Sequence, residues 1–243
     1  MRNLRTLWRR ELTACFLSPV AYVTLVVFLV CAGGTFLAVA FANRGTGEPL
    51  PSILFASVSV WMTILITVVS MRLFTEEKRH GTLETLMTTP VTEVEVVLGK
   101  YAGALTFLVF VVVPAIGVIF VLDWLSPGAD SIDPGAVAAG GVMLVLVAAL
   151  CVAIGTAVSL LTENQIVAAI CTFCATWAVY LLGWLLSLLP FGTGTVVEAV
   201  SGMTHIADAS RGSIDTRPVI LYLSGTVFVL FVSVRLLETR RWR

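Results

Sequence analysis

The sequence predicts an all-α integral membrane protein with six transmembrane helices, an N-terminal amphipathic helix and a short cytosolic helix between the second and third spans. Three observations lead there. Apolar residues make up 58% of the chain and charged ones only 12%, with a mean hydropathy of +0.99, whereas soluble domains carry about a quarter charged residues. Apolar runs recur at lengths near the roughly 20 helical residues that a bilayer core about 30 Å thick requires. Lysine and arginine fall in blocks that alternate with those runs.

The first fifteen residues, "MRNLRTLWRRELTAC", are charged and lack the apolar core expected of a cleavable signal. They place Leu4, Leu7, Trp8, Leu12 and Cys15 at helical spacing, with arginines, Arg9 and Arg10 among them, on the other face. This is the pattern of a helix lying in the interface, with Trp8 at headgroup level and Pro19 turning the chain into the bilayer.

Six spans follow: Val20–Ala42, Ile53–Met71, Val96–Leu122, Val137–Leu161, Ile166–Leu189 and Val219–Val234, the last carried to about residue 236 by a snorkelling Arg235. Asp133-Pro134 and Thr216-x-Pro218 set a capping oxygen before a first-turn proline. "TEVE" (Thr92–Glu95) and "TENQ" (Thr162–Gln165) read as capping boxes of the third and fifth spans. Pro114 is expected to kink the third. Glycine, alanine and serine stripes, such as Gly140-Gly141, Ala149, Gly155 and Ser159, are expected to let helices pack closely within one bundle.

Twelve of the fifteen basic residues lie at the two ends of the chain and between spans two and three; Arg44, Arg211 and Arg217 lie on the opposite side. The positive-inside rule then puts both termini and the insert in the cytoplasm. No ionisable residue falls near the middle of a span, which argues against an ion-coupled carrier or a charge-lined channel.

The insert "FTEEKRHGTLETLMTTPVTEVEVVLGK" (Phe74–Lys100) carries eight of the thirty charged residues. Thr75 is expected to cap a helix whose first turn holds Glu76 and Glu77, at the positive end of its dipole. Leu83, Leu86 and Met87 make one apolar edge, and Pro90 stops the helix. The residues alone leave two readings, a solvated helix at the headgroups or a helix that fits a protein groove.

Some chemistry is absent. No phosphate-binding glycine loop of the G-x-x-x-x-G-K-[ST] type occurs, so ATP hydrolysis would belong to another polypeptide. His80 and His205 lie outside the spans, where neither serves a buried serine nucleophile. The five cysteines make no metal pattern, and Cys171-x-x-Cys174 reads as two small buried hydrophobes. No catalytic residue, bound cofactor, metal or nucleic-acid partner is expected.

The segment "EEKRHGTLETLMTTPVTEVEVVLGKY" resembles the signature of ABC transporter permeases of the type-2 exporter family, especially the gliding-motility and nitrous-oxide-reductase-maturation kind. The matching positions are Glu77, Gly81, Thr82, Leu83, Glu84, Leu86, Pro90, Val91 and Val97–Lys100. "RRELTACFLSPVAYV" is similar to the family's elbow helix and its S-P-x-A-Y turn, and "ASRGSID" with "LETRRW" to its R-G-x-I-D segment and tail.

The resemblance implies a single permease domain over residues 1–243. Residues 1–18 would form the elbow helix, with Trp8, Arg9, Arg10 and Pro19. Residues 75–88 would form a coupling helix in which Glu77, Gly81, Thr82, Leu83, Glu84, Leu86 and Met87 contact a cytosolic ABC ATPase subunit, where ATP and magnesium would bind. A second permease copy or paralogue would complete the unit, and outer loop 190–216 would carry short lid-like helices. The alternative is an anchor that relays force to an outer auxiliary protein and moves no solute.

Overall fold

The computed structural model describes residues 2–44, 47–82, 91–125, 132–187, 201–213 and 215–241. Among these the chain forms α1 (Arg2–Leu17), α2 (Pro19–Ala42), α3 (Leu50–Ser70), α4 (Thr75–Arg79), α5 (Glu93–Leu125), α6 (Pro134–Leu161), α7 (Gln165–Ser187), α8 (Gly202–Ser210) and α9 (Thr216–Arg241). Five stretches are long and apolar enough to cross a membrane: Pro19–Ala42, Leu50–Arg79, Glu93–Leu122, Pro134–Leu161 and Thr216–Thr239. Gln165–Leu181 in α7 adds a shorter apolar run. Helix α5 continues through Pro114.

Helix starts follow local chemistry in some places and not in others. Thr92 and Glu95 exchange backbone and side-chain bonds at 3.2 and 3.3 Å, a complete capping box at α5. Asp133 Oδ1 accepts from the Gly135 amide at 2.8 Å, ahead of α6. The expected box at "TENQ" is not formed. Asn164 Oδ1 instead accepts from the Ile166 amide at 2.9 Å, because a carboxamide two residues closer to the helix reaches its free amides first. At α9 the cap is likewise Asp215, not Thr216: its Oδ1 accepts from the Arg217 amide at 3.0 Å.

Helix α6 is the axis of the bundle. It packs against α3, α5, α7, α8 and α9, while α2 lies outside α3. Phe55, Met62, Leu65 and Ile66 of α3, Phe107 and Leu108 of α5, Leu144 of α6 and Tyr222 of α9 are fully buried between them. The approach is close where glycine removes a side chain. A Cβ on Gly140 would lie 2.6 Å from the Phe55 ring, and one on Gly155 would run into Ser70. Those two glycines serve packing within the bundle, whereas Gly33 and Gly34 of α2 face open space.

Most buried hydroxyls on α3 turn inward on their own helix, whereas Ser70 Oγ at its end is buried with no hydrogen-bond partner among the described residues. Ser57, Ser59, Thr63 and Thr67 each donate to a carbonyl three or four residues back, at 2.7–2.9 Å. Such bonds satisfy polar groups where no water is available. One cysteine expectation needs correction. Cys171 and Cys174 are exposed on α7 rather than buried, because that face is covered by no other helix among the described residues.

Candidate functional site

At the end of the bundle where α5 begins and α6 ends, four elements meet around one lysine. Glycine brings the first of them in. Gly99 and Gly103 on α5, four residues apart, form a groove into which α1 settles: a Cβ on Gly99 would lie 2.8 Å from Leu7 Cβ, and one on Gly103 2.7 Å from Glu11 Cβ. Leu7 is buried there. Trp8 Nε1 donates to Thr106 Oγ1 at 3.1 Å, and Phe16 meets Phe107 and Phe110 edge-on. The interfacial face expected of α1 is therefore largely a face for α5. Arg9 and Arg10 lie exposed on its other side, and Pro19 occupies the first turn of α2.

Lys100 follows Gly99 and points between α1 and α4. Its Nζ lies 2.9 Å from Glu11 Oε1 and 2.9 Å from Glu77 Oε1, with its side chain 3% exposed and the carboxylates 15% and 14%. The Phe74 ring lies on another side of the ammonium, 5.2 Å away. A charge this deeply enclosed is tolerable only with opposite charges and hydrogen bonds around it. Two carboxylates on one ammonium leave the cluster one negative charge in excess. Glu77 Oε2 is buried without a hydrogen-bond partner among the described residues.

Helix α4 is capped from a distance. Thr75, the cap expected from sequence, is the first helical residue, and its hydroxyl donates back to the Met71 carbonyl. The acceptor role passes to Ser159 Oγ on α6, which takes the amides of Phe74 at 2.9 Å and Thr75 at 3.2 Å. Lys78 returns the favour: its Nζ donates to the Leu160 carbonyl and also reaches those of Ser159 and Thr162. These are last-turn carbonyls with no partner inside α6. Arg72 adds a fourth tie, donating to Ser18 Oγ at the α1–α2 joint at 3.2 Å and pairing with Glu76.

The segment expected to form one helix over 75–88 is interrupted. Helix α4 ends at Arg79, and Gly81 takes φ +67°, where a side chain would be strained. Thr82 Oγ1 donates to the Glu77 carbonyl across this turn. Leu83, Glu84, Leu86, Met87 and Pro90 lie outside the described residues. The structure thus brings Glu77 onto Lys100 and Trp8 onto Thr106 of the same helix α5, with Gly81 and Thr82 exposed on the turn after α4.

Three participants escape a reading of the sequence. Lys100 enters there as one charge of the insert and as the end of the Val97–Lys100 match, Glu11 only within the N-terminal helical stretch, and Ser159 as a small residue in a stripe, none of them as a partner of another. The Gly99-x-x-x-Gly103 spacing immediately around Lys100 is the signal that could have drawn attention to that turn.

At the opposite end, α8 lies in the loop expected to hold short helices. Ile206 is buried, and His205 Nδ1 lies 2.8 Å from the Tyr222 hydroxyl. Val196, Val197 and Val200 are outside the described residues. Among the described residues no three His, Cys, Asp or Glu side chains gather as metal ligands.

The model of a family described as "ABC-2 family transporter protein" matches residues 17–179, well over half of the chain. No curated protein matches it.

Proposed function

The chain belongs to the ABC-2 family of transporter proteins and is the non-catalytic membrane permease component of such a transporter, and we propose that it serves an exporter by carrying the motion of a partner ATPase into its spans through the Lys100 cluster. Permeases of this kind work with ATPase subunits and bind no cofactor themselves. In this reading α1 is the elbow helix, the Glu77–Met87 segment seats on the ATPase, and both termini face the cytoplasm. The bundle has six spans, with α7 as the fifth, in one domain over residues 1–243. Two permease units and two ATPases make the working assembly, and the gliding-motility and nitrous-oxide-reductase-maturation permeases are the subfamily it fits.

One observation carries the proposal: Lys100 is held 2.9 Å from both Glu11 and Glu77. A push on the segment after α4 reaches α5 through the Glu77–Lys100 pair. It reaches α1 through Glu11, and α6 through the Ser159 and Lys78 bonds. Packed elements joined by short polar bonds move together rather than deform, which makes them suitable for transmitting a rigid displacement. The self-satisfied hydroxyls of α3 favour an apolar or amphipathic cargo over a strongly polar one.

A gentle detergent pull-down of the full chain from its native host tests the proposal. An ATPase with a phosphate-binding loop should co-purify with the native chain and be lost with Leu83, Leu86 and Met87 changed to Asp. Failure of any ATPase to appear with the native chain under several mild conditions would overturn it. Vesicles holding the complex then separate transport from pure force transmission, since only a transporter moves a lipid-like candidate substrate upon ATP addition.

A further inference from the structure

At the end of the bundle away from Lys100, residues of α6, α8 and α9 line a cavity of about 760 Å³. Its floor is Met143 and His205, both buried. Its side wall includes Val142 and Leu221, which are 62% and 42% exposed and belong to helices apolar and long enough to span a membrane. The medium beside such residues is lipid, so the cavity opens sideways into the acyl region.

Its rim is different. Helices α6 and α9 both begin at this level, and Asp208, Asp215 and Arg217 line the cavity there, all exposed. Asp215 is engaged in capping α9. The side chains of Asp208 and Arg217 make no ion pair among the described residues. One site therefore offers an apolar trough open to the bilayer, and a guanidinium and a carboxylate at headgroup depth that make no ion pair among the described residues. That combination matches a molecule with an acyl chain, a phosphate and an ammonium group.

We propose that this cavity holds one zwitterionic aminophospholipid, its phosphate on Arg217, its ammonium facing Asp208 and an acyl chain along Val142 and Leu221. Two carboxylates against one guanidinium on the rim disfavour a headgroup with net negative charge, which decides between the two common classes of phospholipid. The proposal rests on α6 and α9 being membrane spans and is independent of the ATPase.

The test uses the full chain purified from nanodiscs containing equal parts phosphatidylethanolamine and phosphatidylglycerol, with retained lipid counted by native mass spectrometry. The native chain should keep one phosphatidylethanolamine, preferred about tenfold over phosphatidylglycerol. Asp208→Asn, at an exposed position, should bring that preference close to parity, whereas Arg217→Gln, which leaves two carboxylates without a cation, should cut retention of both lipids and leave phosphatidylglycerol the more disfavoured. Ala138→Trp, also at an exposed position, should fill the trough and release lipid of either class. Retention of no lipid, preference for phosphatidylglycerol, an unchanged preference in Asp208→Asn, or undiminished retention in Arg217→Gln would overturn the proposal. So would a dimer that forms without lipid and dissociates with Ala138→Trp, since a second copy would then occupy the trough. An unaltered ATPase pull-down in any of these outcomes separates this failure from failure of the permease mechanism.

Discussion

Lys100 Nζ and Glu77 Oε1 lie 2.9 Å apart on two helices, α4 and α5, that segment 80–92 separates along the chain. Replacing Lys100 by Met would leave the Glu11 and Glu77 carboxylates facing each other with no cation between them. Removing one partner of a buried ion pair costs about 3–5 kcal/mol. Glu77→Gln should cost less, because Glu11 still neutralises the ammonium. Replacing all three members by apolar or neutral residues should recover most of the lost stability. Thermal unfolding in one detergent checks the order; a Lys100→Met protein that melts with the native one would mean the ammonium is not enclosed.

Much of the fold was legible because its signals are local and strong. Apolar length defines a span within a few residues, and "TEVE" at α5 and Asp133-Pro134 at α6 carry their own partners in sequence. The candidate site was less legible because its determinants are distant. The cap of α4 comes from Ser159, more than eighty residues away, so Thr75 looked like the natural cap. Lys100 reads in sequence as one charge among several in a polar insert, and its partners Glu11 of α1 and Glu77 of α4 reach it only once the chain is folded. Exposure of Cys171 and Cys174 was equally hidden, since apolar residues facing lipid and apolar residues facing protein read alike.

The groove makes a prediction of opposite signs. Gly→Ala inside a helix ordinarily gains about 0.5–1 kcal/mol. At Gly33 nothing lies within 4 Å, so that gain should be realised. At Gly99 the new methyl would lie 2.8 Å from Leu7 Cβ, an atom fixed to the α1 backbone. Overpacking of this kind costs about 1–3 kcal/mol and should win. Trypsin cleavage after Arg9 and Arg10 should quicken in Gly99→Ala as α1 lifts, and stay at the native rate in Gly33→Ala.

Ser159→Ala removes the acceptor shared by two amides. Leaving a buried donor unsatisfied costs about 1–3 kcal/mol, and here the loss falls on a five-residue helix with few other supports. Hydrogen exchange of the Phe74 and Thr75 amides should accelerate, while α3 and the body of α6 keep their protection. Unchanged exchange at Phe74 and Thr75 would place their acceptor elsewhere.

Cys15 reports the charge of the cluster from the side of α1. Burial, and then the neighbouring Glu11 carboxylate, push its thiol up to about 11, against weaker opposition from Lys100 and Arg72. At pH 8 the thiolate is then about a hundredfold scarcer than in a thiol of ordinary pKa. With the other four cysteines replaced, iodoacetamide should label Cys15 slowly at pH 8 and faster as pH climbs toward 11. Because the folded value exceeds the ordinary 9.0, the thiol's contribution to stability is present below pH 9 and fades as pH rises past it. Glu11→Gln removes the negative neighbour, so it should lower the pKa and speed labelling at pH 8, although it also deletes the Glu11–Lys100 pair that ties α1 to α5. Circular dichroism and the trypsin rate at Arg9 and Arg10 separate the two causes: faster labelling with native trypsin resistance reports the field of Glu11, whereas faster labelling with faster cutting reports a loosened helix.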